Sequence, residues 1–406
     1  MRGKPVSSCQ SCASKNLQSV LSLGYLPLVN DMHSIVEPQR EQSFFPTELL
    51  HCQDCQLVQL GYIVPPEILF PSSYPYTSGT TKALRENFKD LAAECVDLFN
   101  LEQNDLVLDI ASNDGTLLSN FKGKCRILGI EPTDTAKIAL ANGIPTYQGF
   151  FRKGLSLNEE SLNCKLRGNT KLVTATNVFA HVPYVNNFVD GVLQILAPNG
   201  VFVTESHYLP DLLDKCQFDA IYHEHLRYYS LTSLKNLFER HGLEIIKAKR
   251  IPTHGGSIRV YAARKSEYSV DQSVIDLLEM ENSLPTKLEG FSRRVKQVRH
   301  WLRQDLEHLE IFGISAPSRA TTLINYCGLQ DKLTCVVEVP SSKKIGHYIP
   351  GTQIPVINEE DLFESQPHNA LILSWHIADD LARNLRAKGY NGNLRVPLPT
   401  PAILPI

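Results

Sequence analysis

Two apolar runs with a polar turn between them, at residues 106–132, restrict the fold most. Residues 106–110 read LVLDI and lead into Ala-Ser-Asn-Asp-Gly at 111–115, after which a helix is predicted. A second run, ILGI at 127–130, ends in Glu131. In a parallel sheet covered by helices, such a turn brings backbone close to a ligand, and the second acid accepts hydrogen bonds from ribose hydroxyls. The pattern predicts an α/β fold with a nucleoside site.

The turn itself indicates which nucleoside fits. A dinucleotide site uses GxGxxG to hold a pyrophosphate, and Gly115 stands here without the other two glycines. Asp109 and Asp114 would repel a pyrophosphate but tolerate a cationic sulfonium and ammonium. The residues therefore favour S-adenosylmethionine over NAD. A structural βα turn in some other α/β protein remains the alternative.

Two CxxC pairs stand near the N-terminus, Cys9 with Cys12 and Cys52 with Cys55. Zinc takes four soft ligands in a tetrahedron, and each pair offers two thiolates from one tight turn. The two pairs are about 40 residues apart, so the chain between them must form a small subdomain. Four thiolates leave no open position for substrate, and the zinc is therefore predicted to be structural. The alternatives are a redox pair or plain buried cysteines.

A dense cluster of titratable groups lies at residues 218–230, with Tyr222, His223, Glu224 and His225 at its centre. The histidines are two apart and do not form HExxH. In an extended segment they would share one face, whereas a kinked loop would bring all four groups near one cavity. A histidine that titrates near neutrality is a suitable base for a proton next to a carbonyl. A structural role remains the alternative for either histidine.

Two further groups belong beside this cluster. Asn177 and His181 follow the fourth predicted strand, so they lie at the carboxyl edge of the sheet where ligands bind. The segment Tyr74-Pro-Tyr76 precedes the domain and is placed to fold over a cofactor as a lid. The alternatives are a helix cap with a surface histidine, and aromatic packing in a linker.

Length and charge limit the class of protein. The 406 residues exceed one ordinary domain, and 43% hydrophobic with 20% charged residues is a globular composition. A net charge of −3 provides no basic field, which disfavours general nucleic-acid binding. No secretory signal or membrane span is recognised, so a soluble, cytoplasmic protein with reduced thiols is expected.

The chain is predicted to divide into four units. Residues 1–75 form the zinc-binding subdomain, and 76–265 alternate strands and helices. Residues 266–308 form a helical connector that Pro285 divides, and 309–406 begin a second run of strand, turn and helix.

These motifs together resemble the zinc-containing, S-adenosylmethionine-dependent sugar C-methyltransferases, which act on C3 of nucleotide-linked 4-keto deoxysugars. The resemblance covers nearly the whole chain and runs in order through the paired CxxC, SNDG, IEPTD, NVFAHVP, IYHEH, HGGSIRVY, NYCG and YIPGTQIP.

The resemblance implies the fold and the roles of residues. The fold is α/β, a Rossmann-like class I methyltransferase domain with an N-terminal zinc-binding subdomain and a C-terminal Rossmann-like α/β domain. The cofactor would contact Asp109, Ser112, Asn113, Asp114, Gly115, Glu131, Pro132 and Asn177. The sugar would lie among Tyr76, His181, Tyr222, Glu224 and His225, with His225 as the base. The nucleotide would contact Ser315, Arg319, Asn325, Glu338 and Lys344.

The chain departs from the family mildly at the cofactor turn and more in the C-terminal domain, where the departures concern the carrier. Ala111 replaces a usual glycine, and Ser318-Arg319-Ala320 replaces a usual Ala-Lys-Gly. Glu338 replaces a usual Asp, and His376 a usual Asn. A dTDP or GDP carrier is expected, with UDP also open. No nucleic-acid or membrane partner is expected, and the oligomeric state stays open, with a monomer as one option. A zinc-ribbon RNA methyltransferase and an NAD-dependent nucleotide-sugar oxidoreductase are the alternative enzymes.

Overall fold

In the computed structural model, which describes residues 3–38, 41–70, 77–151 and 166–405, the chain is built on a four-, a seven- and a six-stranded sheet with two short ribbons. The N-terminal elements are β1 (Lys4–Pro5), β2 (Leu17–Pro27), β3 (His33–Ser34), β4 (Phe44–Cys52), β5 (Val58–Leu60), β6 (Tyr62–Ile63) and α1 (Pro66–Leu69). The antiparallel hairpin of β2 and β4 places both CxxC turns at one end of this sheet.

The central sheet has seven strands. Its first half contains α2 (Lys82–Leu98), β7 (Leu106–Ile110), α3 (Thr116–Ser119), β8 (Arg126–Glu131), α4 (Thr135–Ala141), β9 (Thr146–Gln148) and β10 (Thr170–Thr176). The rest contains α5 (Val185–Ile195), β11 (Leu196–His207), α6 (Leu209–Asp214), β12 (Arg227–Tyr228), α7 (Leu231–Arg240), β13 (Leu243–Ile251) and β14 (Ser257–Arg264). The order is β13-β14-β11-β10-β7-β8-β9, parallel except at β14. The predicted class I methyltransferase fold is confirmed.

The central strands are apolar because helices cover both faces of the sheet. All five residues of β7 are buried, and β10 and β11 on one side and β8 on the other keep it from any edge. The carboxyl ends of these parallel strands therefore meet at one edge, where the chain turns into the helices.

The connector and C-terminal elements are α8 (Gln272–Met280), α9 (Leu284–Asp305), β15 (Ile311–Ile314), α10 (Ser318–Cys327), β16 (Leu333–Glu338), β17 (His347–Tyr348), β18 (Val356–Asn358), α11 (Glu360–Ser365), β19 (Asn369–Ile372), α12 (Ala378–Ala387), β20 (Asn393–Val396) and β21 (Ala402–Ile403). Pro285 lies in the first turn of α9, where its missing N–H costs nothing. The sheet order is β18-β16-β15-β19-β20-β21, with β21 antiparallel. The predicted C-terminal Rossmann-like domain is confirmed.

The N-terminal sheet joins the other two units. One of its two edge strands is β12, from the end of the predicted acid/base cluster, and Tyr228 pairs there with Val58 of β5. A shared apolar core also links Leu23 of β2 with Phe291 of α9 and Val336 of β16. Among the residues that the structure describes, no helix combines the length and apolar character needed to cross a bilayer.

Candidate active site

Four cysteine sulfurs form a compact group at the end of the N-terminal sheet. The Sγ atoms of Cys9 and Cys55 are 3.5 Å apart, as are those of Cys12 and Cys52, and all four lie within 4.8 Å of one another. Zn–S bonds of about 2.3 Å in a tetrahedron require sulfur separations of about 3.8 Å. The Cys9 sulfur also accepts backbone N–H groups from Ser11 and Cys12, which favours a thiolate. The donor set fits one zinc ion, and its closed geometry is that of a structural site.

The turn after β7 holds the second-strand acid tightly. The N–H of Asn113 donates to Oε2 of Glu131 over 2.9 Å, and Oε1 of Glu131 accepts from both the N–H and the hydroxyl of Thr133. Gly115 has φ +80°, and a Cβ there would lie 2.9 Å from Ile144, so the turn requires glycine. A carboxylate accepts about four bonds, so Glu131 keeps capacity for a ribose hydroxyl.

Ala111 and Asp109 flank the end of β7. Ala111 has φ +57°, a left-handed conformation that glycine adopts more easily. Asp109 is buried and accepts from the Thr174 hydroxyl over 2.6 Å. Burial raises the pKa of Asp109 to about 7, with the carboxylates of Glu131 and Glu205 adding to the effect. A nearby cation would stabilise this carboxylate, which is the environment a sulfonium or ammonium needs.

Asn113 and Asp114 bind protein atoms with their side chains. Oδ1 of Asn113 accepts the N–H of Ser78, and Oδ2 of Asp114 accepts the N–H of Gly79, each over 2.8 Å. Oδ1 of Asp114 also accepts from the hydroxyl of Thr116. The turn therefore anchors the chain that follows the predicted lid. Tyr76 itself lies outside the described residues, so its predicted role stays a prediction.

The remaining predicted cofactor contacts lie at the same edge. Ser112 packs its side chain against Gly129, and Pro132 directly follows β8. Asn177 follows β10 with φ +56°, and its N–H donates to the carbonyl of Glu205. All three strand ends that the sequence singled out thus meet at the carboxyl edge, which is where the ligands of such sheets bind.

The segment 221–226 is a kinked loop, which was one of the two arrangements the sequence left open. The N–H of His225 donates to the carbonyl of Tyr222 over 2.9 Å, and the two rings lie 4.1 Å apart between centroids. The ring of His181 lies 4.9 Å from that of His225. These three predicted sugar contacts are therefore side by side.

One nitrogen of His225 is fixed by the fold. Nδ1 lies 2.9 Å from the carbonyl of Ala220, which can only accept, so Nδ1 carries the proton and Nε2 of the neutral ring is a base. Burial lowers the pKa of His225 well below its usual value, and His181 and Arg319 act in the same direction. The ring is therefore neutral at pH 7 and able to accept a proton.

The side chains of His223 and Glu224 contact residues outside the loop. Nε2 of His223 lies 3.1 Å from the hydroxyl of Thr47 in β4, so this histidine ties the loop to the N-terminal sheet. Glu224 is 5% exposed, and its Oε1 accepts from Nδ2 of Asn30 over 2.6 Å. Asn30 has no motif around it and was missed from the sequence.

Two further histidines complete the site and were also missed. The ring of His207, at the end of β11, lies 4.9 Å from that of His225 and 5.7 Å from that of His254. Burial lowers the pKa of His254 to about 4, and Arg319 contributes. His254 stands in the HGGSIRVY motif, so the sequence did contain a pattern that includes it.

The first turn of the C-terminal sheet faces this loop. Oε1 of Glu338 accepts the N–H of Ala316 over 2.7 Å, and Lys344 donates to the carbonyl of Ala316. Burial lowers the pKa of Lys344, while the carboxylates of Glu338 and Glu224 oppose that shift. The hydroxyl of Ser315 donates to that of Ser374 over 2.6 Å.

Arg319 and Asn325 bind protein groups. The guanidinium of Arg319 lies 3.5 Å from the buried carboxylate of Asp219 and donates to Gln217, so it joins α10 to the methyltransferase unit. Asn325 donates to the carbonyls of Thr321 and Pro350. Their predicted contacts with a nucleotide stay predictions.

Comparison with known proteins follows the same three parts. Family models described as a zinc binding domain, a methyltransferase domain and a C-methyltransferase C-terminal domain match residues 9–70, 80–248 and 252–399. The C-methyltransferase NovU of Streptomyces niveus is 30% identical over 414 residues, which covers 99% of this chain and 97% of NovU.

Solved structures resemble part of the chain. Magnesium protoporphyrin IX methyltransferase (ChlM) from Synechocystis, solved with bound SAH, is 13% identical with a TM-score of 0.33, over 45% of this chain and 83% of ChlM. The PH0226 protein of Pyrococcus horikoshii is 16% identical with a TM-score of 0.37, over 49% of this chain and 98% of that one. The family assignment does not depend on these low scores.

Proposed function

The chain belongs to the C-methyltransferase family and depends on S-adenosylmethionine, and on that premise we propose that it methylates C3 of a nucleotide-linked 4-keto-6-deoxysugar. The carrier is dTDP or GDP, with UDP as a third candidate. The observation that supports this acceptor most directly is the Nε2 atom of His225, a neutral base held beside Tyr222 and His181. Methylation at carbon next to a ketone begins with removal of a proton, which requires such a base.

The proposed reaction has two steps. Nε2 of His225 takes the C3 proton, the electron pair of the C–H bond forms a C3–C4 double bond, and the π pair of the ketone moves onto the C4 oxygen as an enolate. Hydrogen-bond donors at that oxygen, for which Tyr222 and His181 are candidates, lower the cost of this charge. When bound, S-adenosylmethionine would supply an electrophilic methyl group: the C3–C4 π pair would form the new carbon–carbon bond as the C4 ketone is restored, and the pair of the broken S–C bond would stay on the sulfur.

The other residues divide between cofactor and sugar nucleotide. We assign the turn after β7, Glu131 and Asn177 to the cofactor, and Glu224 to the hydroxyl or amine on C3. The nucleotide is assigned to the turn after β15. Glu338 and Lys344 lie there, next to the loop at 221–226, which we call the catalytic loop. The division of the chain at residues 75, 265 and 308 is part of the same proposal.

The test is turnover against dTDP-, GDP- and UDP-linked 4-keto-6-deoxysugars, with the products analysed by mass and by deuterium uptake at C3. We expect one added methyl group and a C3 that no longer exchanges in deuterated water. His225→Ala should abolish methyl transfer with unchanged cofactor affinity. His223→Gln is the matched control, since His223 binds Thr47, and should keep most of the turnover.

Turnover in the His225→Ala protein would contradict the assigned base. Absence of product from all three carriers, with tight cofactor binding, would contradict the proposed acceptor. Retention of tRNA in a filter-binding assay together with methyl transfer to it would support the RNA alternative instead.

A further inference from the structure

Asn30 connects the three parts of the molecule at the catalytic loop. It follows β2 of the zinc-binding subdomain and is half-buried. Its Nδ2 lies 2.6 Å from Oε1 of Glu224, and its Oδ1 lies 3.2 Å from the hydroxyl of Ser318 at the start of α10. A single amide therefore contacts the loop of the methyltransferase unit and the first turn of the C-terminal domain.

The chemistry of these partners fixes the orientation of the amide. The carboxylate of Glu224 only accepts when it is ionised, so the NH₂ group of Asn30 must face it. The amide oxygen then faces Ser318, whose hydroxyl can donate to it. Reversing the amide would place two oxygens against each other at 2.6 Å, so one arrangement satisfies both contacts.

The backbone at Asn30 is held in place independently of any ligand. Val29 is 5% exposed, and its carbonyl accepts the hydroxyl of Thr321 in α10. Leu26 at the end of β2 belongs to the core that β2 shares with α9 and the C-terminal sheet. The amide is therefore presented to Glu224 by packing that exists before substrate binds.

The carboxylate of Glu224 lies near other charged groups, so a neighbour that is itself held in place helps to fix its orientation. Its carboxylate lies near the buried ammonium of Lys344, which also faces Glu338. A carboxylate drawn toward that ammonium would leave the position in which Asn30 holds it. A short hydrogen bond from a neutral amide holds one oxygen without adding charge.

We propose that Asn30 is a positioning residue for methyl transfer, which holds the carboxylate of Glu224 in the orientation that binds the C3 substituent of the sugar. The inference rests on the proposed function. It gives the zinc-binding subdomain a direct part in the reaction, because Asn30 belongs to the chain between the two CxxC pairs.

The test is Asn30→Asp, which keeps the size of the side chain and an acceptor for Ser318 but replaces the donor by a second carboxylate. We expect kcat/KM for the sugar nucleotide to fall about a hundredfold, and that of Asn30→Ala about tenfold. Zinc content and cofactor affinity should stay within twofold. Asn16→Asp is the matched control, since Asn16 donates to the exposed Asp54 in the same subdomain, and should keep its kcat/KM.

A double substitution separates positioning from packing. If Asn30 acts through Glu224, adding Asn30→Ala to Glu224→Ala should cost little further kcat/KM, so a further loss of about tenfold in the double variant overturns the proposal, as does a smaller loss for Asn30→Asp than for Asn30→Ala. Loss of zinc in both variants assigns Asn30 to folding and also overturns it. A wild-type protein that methylates no 4-keto sugar overturns the proposed function, and this assignment with it. That result is obtained with the wild type alone, so it is distinct from a failure of the Asn30 assignment.

Discussion

In the seven-stranded and the six-stranded sheets alike, the second strand ends in an acid whose carboxylate accepts an N–H from the turn after the first strand. In the methyltransferase sheet the N–H of Ser112 donates to the carbonyl of Ile130, and the next N–H donates to the carboxylate of Glu131. In the C-terminal sheet the N–H of Ser315 donates to the carbonyl of Val337, and the next N–H donates to Glu338.

The two turns differ in charge. The remaining partners of Glu131 are the neutral hydroxyl and N–H of Thr133, whereas Glu338 faces the buried ammonium of Lys344. A carboxylate with neutral partners suits the hydroxyls of a ribose. The ammonium of Lys344 adds a charged hydrogen-bond donor that the first turn lacks, so the second turn presents a donor as well as a carboxylate to a ligand. Backbone geometry alone would not have distinguished the two turns.

The largest expected effect comes from removing the zinc site, because the N-terminal sheet that holds it joins the other two units. Cys52→Ser should lose zinc and destabilise the N-terminal sheet, because binding of a structural zinc contributes on the order of 10 kcal/mol to folding. The loop at 221–226 depends on the pairing of β12 with β5, so methyl transfer should fall at least about a thousandfold. Metal analysis measures the zinc content, turnover measures methyl transfer, and calorimetry measures cofactor affinity.

The control for this variant is Cys125→Ser, a buried cysteine outside the cluster, which should keep zinc and turnover. Cofactor affinity of the Cys52 variant within about tenfold of wild type is expected, because β7, β8 and β10 form a separate sheet. Full turnover in a zinc-free protein would contradict the dependence of the loop on the N-terminal sheet.

The next largest effect concerns the ion pair of Arg319 with Asp219, which joins the C-terminal domain to the methyltransferase unit. Arg319→Gln leaves the buried carboxylate of Asp219 without its ion pair, which should lower the free energy of unfolding by about 3 kcal/mol. Denaturant unfolding measures this loss. Arg383→Gln removes an exposed arginine paired with Asp380 and should change stability little.

The same variant should change the pH dependence. Burial chiefly lowers the pKa of His225, and His181 and the cation of Arg319 lower it further. The neutral ring is the active form, so loss of the cation raises this pKa toward its usual value, and the ring becomes protonated at a higher pH than in the wild type. The acid limb of the kcat/KM profile should move to higher pH. An unmoved limb in a folded variant would separate Arg319 from the base.

A paired substitution tests the charge difference directly. Glu131→Gln should weaken cofactor affinity about tenfold, because it weakens a hydrogen bond to a charged acceptor. Glu338→Gln should leave cofactor affinity unchanged and raise the KM for the sugar nucleotide. Titration with S-adenosylmethionine and steady-state kinetics give both numbers. The proposed difference between the two turns is contradicted if both variants weaken the binding of the same ligand.

The smallest effect lies in the backbone of the two turns. Ala111 and Ser315 both have a left-handed conformation, with φ +57° and +63°. Ala111→Gly should raise the free energy of unfolding by about 1 kcal/mol, since glycine adopts this conformation without strain. Ser315→Gly should gain less, because it also loses the hydrogen bond to Ser374. Thermal unfolding distinguishes them, and equal gains would show that the Ser315 hydroxyl adds nothing.

Local patterns predicted much of this molecule. The CxxC pairs bring two ligands together by their spacing, and they do form one cluster. Glu131 ends a strand next to the first strand, so the order of elements already placed it at the turn. Such residues are predictable because short-range geometry fixes them.

Other residues depend on contacts between distant parts of the chain. Asn30 reaches Glu224 because β2 packs on α10, and nothing near Asn30 in the sequence indicates this. His223 and His225 stand two apart, and only the kinked loop sends one to Thr47 and the other toward Tyr222. The sequence contained the right candidates, but the fold decides which way each side chain points.

The pairing of β12 with β5 has a consequence for how such proteins can be recombined. Residues 58–60 and 227–228 form one hydrogen-bonded ladder, although the first strand belongs to the predicted zinc-binding subdomain and the second to the predicted methyltransferase domain. A chimera that joins the first 75 residues of one relative to the remainder of another would pair a β5 and a β12 that come from different proteins. Swaps that keep methyl transfer should therefore be those that exchange both strands together.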